Sequence, residues 1–292
     1  MSAIIYYIAL PFIYLLSLLP FPLLYLLSDG LYLLLYHVIG YRKKIVSGNL
    51  QNAFPEKSPE EIIILEKKFY KYFCDLLLET FKTLTISPEN MLKHCRFDPD
   101  TQKLVNQLAE EKKNIIIVMG HQGNWEWAGN TFSICCEHQL YVIYHPLANK
   151  YFNELIYKMR RRFGSKLIAM KDTLRSIIKN KNELNATAFI ADQSPNPDNA
   201  YWMNFLHQDT AVFMGTEKIA KMIKYPIVFA HVKKLTRGYY IVKGELLQSP
   251  PYTGNEGDIT EIHTRKLESD ILSQPETWLW THKRWKHTRE ST

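Results

Sequence analysis

The sequence predicts an α/β fold, a mixed sheet with helices on both faces, preceded by an N-terminal membrane-anchoring helix. Two observations carry the prediction: from residue 114 onward, apolar runs of strand length alternate with amphipathic helical stretches, and the first 40 residues are almost free of charge. Strands that alternate with helices form sheets covered on both sides. The 292 residues are 46% hydrophobic with 12 Gly and 14 Pro, which supplies a sizeable core and excludes a collagen-like or disordered chain.

Asp29 is the only charged residue before Tyr41, and Ser2 to Ser28 carries none. About 20 apolar residues suffice to cross a bilayer core of about 30 Å. Pro11, Pro20 and Pro22 interrupt the run, so a kinked or in-plane anchor fits as well as a straight span. Tyr6, Tyr7, Tyr14, Tyr25, Tyr32 and Tyr36 suit a membrane interface. A cleaved signal peptide needs a basic start and a small-residue cleavage site, and neither precedes Arg42. The basic run Arg42-Lys43-Lys44 predicts that the following chain stays in the cytoplasm. The expected division is an anchor over residues 1–40 and a globular domain over 41–292.

Cysteine usage agrees with a reducing compartment. Cys135 and Cys136 are adjacent, Cys74 falls in a helical pattern and reads as core, and no C-x-x-C occurs, so free thiols and no metal are expected.

Ser58-Pro59-Glu60-Glu61 is a helix start, with Ser58 as N-cap, Pro59 at the first helical position and Glu61 closing a capping box. Ile62, Leu65, Phe69, Tyr72 and Leu76 continue it as an amphipathic helix over about 58–85. Strands are expected at Asn114 to Met119, Leu140 to Tyr144, Ala186 to Ala191, Pro226 to Val232 and Tyr239 to Leu246. Helices are expected at Lys150 to Phe163 and, behind a Thr216 cap, at Glu217 to Ile223.

Ligands of such sheets collect at the carboxyl ends of the strands, which selects the segments after Met119, Tyr144 and Ala191. The first of these is Gly120-His121-Gln122-Gly123-Asn124-Trp125-Glu126. His121 and Glu126 are five positions apart, about 140° around one helix, so this is not the four-residue step of a zinc pair. His121 fits a turn, with Asn124 capping the next helix and Glu126 in its first turn. Histidine is the usual general base because its ordinary pKa lies near working pH.

That block resembles the H-x4-D/E block of the lipid A biosynthesis acyltransferases (lauroyl and myristoyl type), relatives of the lysophospholipid and glycerol-phosphate acyltransferases. The resemblance covers nearly the whole chain. It takes in Asn49-Leu50-Gln51-Asn52-Ala53-Phe54-Pro55-Glu56, Arg160-Arg161-Arg162-Phe163-Gly164, Ala191-Asp192-Gln193-Ser194-Pro195 and Trp278-Leu279-Trp280-Thr281-His282-Lys283-Arg284-Trp285-Lys286. It departs from the family at Asn204-Phe205-Leu206-His207, where an aromatic-glycine pair is common, and acceptor contacts there are expected to differ.

The resemblance implies a glycerolipid-acyltransferase-like fold in which His121 is the base and Glu126 its orienting partner. It implies substrate contacts from Gly123 and Asn124, from Arg160 or Arg162, and from Asp192 and Gln193. The alternative for the arginines is a solvated basic helix end, since three consecutive arginines point about 100° apart and at most two reach one ligand. A bidentate guanidinium suits a phosphate. The implied activity moves an acyl chain from acyl carrier protein to a hydroxyl of a lipid A precursor, without a cofactor, at the cytoplasmic face of the bacterial inner membrane. The rivals are O-acylation of a lysophospholipid or an amino-acid lipid, and a noncatalytic membrane adaptor of the same fold. Trp278, Trp280 and Trp285 beside Lys283, Arg284 and Lys286 are expected at anionic headgroups and not at nucleic acid. The +7 charge would attract an acidic carrier.

Overall fold

A computed structural model of the protein describes residues 3–147 and 149–289. Its amino end is helical: α1 (Ala3–Leu18), then α2 (Phe21–Tyr32), which runs on into a π-helical turn at Leu33–Ile39. Pro20 separates the two helices, whereas Pro11 and Pro22 are accommodated within them. Gly40, at φ 64°, ends the run. Next come α3 (Lys43–Ala53) and α4 (Pro59–Lys82), whose start has both hydrogen bonds of the capping box between Ser58 and Glu61.

The remaining order is α5 (Pro88–His94), β1 (Cys95–Phe97), α6 (Pro99–Glu110), β2 (Ile115–Met119), α7 (Trp125–Cys135), β3 (Gln139–Tyr144) and α8 (Lys150–Arg161). It continues with β4 (Lys166–Ala169), α9 (Thr173–Lys179), β5 (Asn185–Ile190), β6 (Ala200–Phe205), β7 (Gln208–Phe213) and α10 (Gly215–Ile223). The last three are β8 (Ile227–Thr236), β9 (Tyr239–Gln248) and α11 (Asp258–Ser273). Seven strands form one sheet in the order β1-β9-β8-β2-β5-β3-β4, parallel except for the β8–β9 hairpin, while β6 and β7 pair separately.

β2 shows why its five residues are all apolar. Side chains alternate along a strand, so Ile115 and Ile117 meet Val105, Leu108 and Phe132 of α6 and α7. Ile116 and Val118 meet the other layer, with Phe69 and Tyr72 of α4, Ala220 of α10 and Leu267 of α11. Both faces are buried, as expected of a parallel strand between helices.

Three expectations are corrected. Thr216 does not cap α10: the helix starts at Gly215, two residues earlier than expected, and the Thr216 side chain is buried within it. Trp278 and Trp280 do not face headgroups but lie in the main core, and Trp285 packs against that core with its indole N–H on Thr210 Oγ1 at 2.7 Å. Of the six amino-end tyrosines only Tyr7 is exposed. Tyr32 and Tyr36 are buried, and Tyr25 turns inward to Glu79. The apolar surface of this region is instead Ile4, Ile8, Phe12 and Leu15 on α1 with Leu23, Leu26 and Leu27 on α2. The helical run Phe21–Ile39 is long and apolar enough to cross a membrane and is a candidate anchor. α1 lies against α8, where Tyr6 stacks on Tyr151 and Ile13 packs with Leu155 and Met159.

Candidate active site

The chain leaves β2 at Met119 and enters α7 at Trp125, and His121 stands on the intervening turn. Two glycines make that turn fit. A Cβ on Gly120 would come within 3.1 Å of the Asp192 carboxylate, and Gly123, at φ +56°, packs so closely on Val232 that a Cβ would sit 2.3 Å from its carbonyl oxygen. Asn124 caps α7 as expected, its Oδ1 accepting from Trp127 N at 2.9 Å.

The partner of His121 is not Glu126 but Asp192, just beyond the end of the neighbouring strand β5. One carboxylate oxygen lies 2.5 Å from His121 Nδ1, and the other accepts the His121 backbone N–H at 2.7 Å and the Trp278 indole N–H at 2.8 Å. Burial alone would raise the Asp192 carboxyl, but the neighbouring imidazole and these donors hold it down at about 2. A carboxylate on Nδ1 assigns the proton to that nitrogen and leaves the Nε2 lone pair outward. The imidazole is edge-on to Trp125, with Nε2 3.5 Å from the Gln193 amide nitrogen.

Glu126 faces α8 instead. It forms a forked pair with Arg160, with Nε at 3.0 Å and a terminal nitrogen at 2.5 Å. Burial opposes the charge on both groups, yet the pairing keeps Glu126 below and Arg160 above their ordinary values. Arg162 is directed elsewhere: it donates to the carbonyls of Thr83, at 2.9 Å, and Ile86, and so holds the chain that leaves α4. The two arginines left open by the sequence are thereby separated. Gly123 and Asn124 also differ from expectation. The Gly123 amide donates to Thr277 O at 3.0 Å, and Asn124 is fully buried beneath the turn.

Sequence reasoning missed what holds the turn from behind. Leu279 N donates to His121 O at 3.2 Å, and Gln122 is bridged to Trp278, so the carboxyl segment runs against the His121 turn like a short strand. The available signal was the indole N–H of Trp278, a donor that seeks a partner when buried.

Behind His121 lies a cavity of about 540 Å³. Its mouth includes His121, Trp125, Glu126, Tyr144, Arg160 and Gln193, and its depth runs between the sheet and the layer of α6 and α7, past Ile117, Ala188, Val228 and Gly129. The site can therefore hold a long apolar group along the strands with its reactive end at the imidazole. Among the described residues no cluster of His, Cys, Asp and Glu could hold a metal ion.

The model of the bacterial lipid A biosynthesis acyltransferases matches residues 1–287. The lipid A biosynthesis lauroyltransferase of Escherichia coli is 25% identical over 272 residues, which covers 92% of this chain and 87% of the relative. The lipid A biosynthesis acyltransferase of Haemophilus influenzae is 21% identical, covering 92% and 83%. The E. coli lipid A biosynthesis myristoyltransferase is 19% identical, covering 80% and 71%. A histidine paired with a buried carboxylate at the mouth of a deep apolar cavity thus sits in a sequence matched to one family almost from end to end, and the chain belongs to the bacterial lipid A biosynthesis acyltransferases.

Proposed function

We propose that the protein transfers a fatty acyl chain from acyl carrier protein to a hydroxyl of a lipid A precursor, at the cytoplasmic face of the bacterial inner membrane, with His121 as general base. The observation that carries this reading is the imidazole, oriented by Asp192, at the open end of the apolar cavity. β2 and β5 have five and six residues, so at about 3.3 Å per residue the cavity between sheet and helices takes an acyl chain on the order of ten methylenes.

The acceptor hydroxyl gives its proton to His121 Nε2 as its oxygen attacks the thioester carbonyl. Asp192 stabilises the imidazolium that forms. The amide of Gly123 is already used, so the tetrahedral oxyanion is assigned to the first amides of α7, at Trp125 and Glu126, where the helix dipole favours negative charge. Collapse breaks the carbon–sulfur bond, and the imidazolium returns its proton to the leaving thiolate. No acyl-enzyme is needed. Arg160, neutralised on one side by Glu126, lines the mouth and suits the anionic acceptor.

An acidic carrier is supported by a basic ridge. Lys171, Arg175 and Lys179 are four apart and exposed, none in an ion pair with a described residue, and the ridge begins beside Met170, which lines the cavity. The anchor reading rests on the apolar faces of α1 and α2, and the cytoplasmic face on Arg42-Lys43-Lys44 beside them.

The test offers purified enzyme one acyl carrier donor and three competing acceptors: a lipid A precursor, a lysophospholipid and an amino-acid lipid. Mass spectrometry should find the acyl chain on the precursor, and its exclusive appearance on either competitor would defeat the lipid A reading.

A further inference from the structure

α4 carries a carboxylate that the chemistry above does not use. Glu79 is 0% exposed, and no cation pairs with it among the described residues. Its two oxygens instead take three neutral donors from three elements: Tyr25 Oη of α2 at 2.9 Å, Tyr240 Oη of β9 at 2.8 Å and Asn124 Nδ2 at 2.7 Å. Its own carbonyl accepts the Trp127 indole N–H at 3.0 Å. Burial raises the carboxyl above its ordinary value, against the pull of the donors. A leucine would fill such a place without that cost.

What the carboxylate touches explains its presence. Asn124 is the cap of α7 and lies three positions after His121, and the residue before it is also clamped from α4, with Tyr72 Oη donating to Gly123 O at 2.6 Å. Tyr72, Asp75 and Glu79 are three and four apart and share one face of α4. Asp75, between the other two, accepts from Ser28 of α2 at 2.6 Å and from Arg237, which also grips Asp29. One face of α4 thus holds the seat of α2 and the catalytic turn together. A carboxylate suits the junction because its two oxygens have lone pairs for all three donors, where an amide has one accepting oxygen.

We infer that Glu79 is a positioning residue: it fixes the turn that presents His121 and couples that turn, through Tyr25, to the seating of the amino-terminal helices. The inference rests on the reading of His121 as the base, so His121→Ala accompanies every measurement.

The experiment is an exchange of partners in the full-length enzyme, assayed in detergent with acyl carrier donor and lipid A precursor. Glu79→Gln puts an amide N–H at one of the two places where an oxygen now accepts, facing either the Asn124 and Tyr240 donors or Tyr25 Oη, and Asn124→Asp sets two carboxylates together. Each should lower kcat at least tenfold with KM for both substrates within about twofold. The double variant restores one amide and one carboxylate with their places exchanged. The carboxylate now at position 124 can accept from the amide now at position 79 while still capping Trp127 N, so kcat should recover to within about threefold of wild type. Tyr25→Phe, remote from any reacting atom, should lower kcat several-fold while sedimentation with liposomes is unchanged.

Wild-type kcat in Glu79→Gln or in Tyr25→Phe overturns the inference. So does a folded double variant no better than the product of the singles. If Glu79→Gln fails to fold, the double variant and Tyr25→Phe decide by the same criteria. Activity surviving in His121→Ala instead defeats the reading of the base, whatever the exchange shows.

Discussion

His121→Ala removes the one lone pair that the turn aims into the cavity, and kcat should fall by about 10²–10⁴, the range of general base catalysis, while a thermal melt stays close to wild type. Asp192→Asn is the sharper probe. It leaves the shape but presents an amide to His121 Nδ1, so the opposite tautomer is favoured, and a loss of about 10⁴ is expected from such a change. An Asp192→Asn enzyme slowed less than tenfold would return the orienting role to Glu126. Glu126→Gln should instead loosen Arg160 and raise KM for the anionic acceptor more than it lowers kcat. His121 was legible because a histidine on a glycine-flanked turn after an apolar strand has few other uses. Its partner was not, because Asp192 lies 71 residues further on, and only the adjacency of β2 and β5 brings the two together. Glu126 was the natural choice within one segment, but a first-turn glutamate of α7 points at α8.

Between elements, the proposed function makes the space enclosed by the sheet and the layer of α6 and α7 the determinant of chain length. Gly129 of α7 lines that space, and a Cβ there meets only Leu140, at 3.8 Å. Gly129→Leu should therefore fold well, since it improves helix propensity, and should shorten the preferred acyl chain by on the order of two methylenes, because a packed interior has no slack for the added side chain. Mass spectrometry of products from a mixed pool of acyl carriers reads this directly, and an unchanged chain length would place the acyl group elsewhere. Reversing the ridge with Arg175→Glu and Lys179→Glu should raise KM for acyl carrier protein about tenfold at low salt, an effect that added salt erodes, and leave KM for acyl-coenzyme A unchanged. The spans of β2, β3, β5, β8 and β9 and of α4, α8 and α10 were readable from periodicity to within a few residues, whereas the short edge strands β1 and β4, of three and four residues, were not. The β6–β7 hairpin was not, since its turn residues Leu206 and His207 have positive φ, at 51° and 63°, without the glycine or asparagine that announces such turns.

Across the whole molecule, the amino-end helices are part of the core. Leu24, Tyr32 and Tyr36 are buried, the two tyrosines in the same cluster as Phe69 and Tyr70 of α4. A truncation starting at Tyr41 should expose that surface, so it should aggregate or melt at least 10 °C lower than the full chain; a soluble, stable fragment would show the helices to be dispensable. Acid should also loosen the fold. Burial holds His263 and His282 neutral down to about 4, whereas in the unfolded chain each takes its proton near 6.5. Between those values the unfolded state binds more protons, so stability is full above 6.5 and declines as pH falls toward 4. Tm followed across that window should drop, and His263→Gln should flatten the decline. The order of synthesis gives the carboxyl segment a last consequence. Asp192 follows His121 by 71 residues, and Trp278 follows Asp192 by a further 86. If the first helices are the anchor and the three residues form one site, as proposed, a nascent chain would reach the bilayer long before it could catalyse anything, and ribosome-arrested chains that stop short of Trp278 should dock on membranes without acylating them.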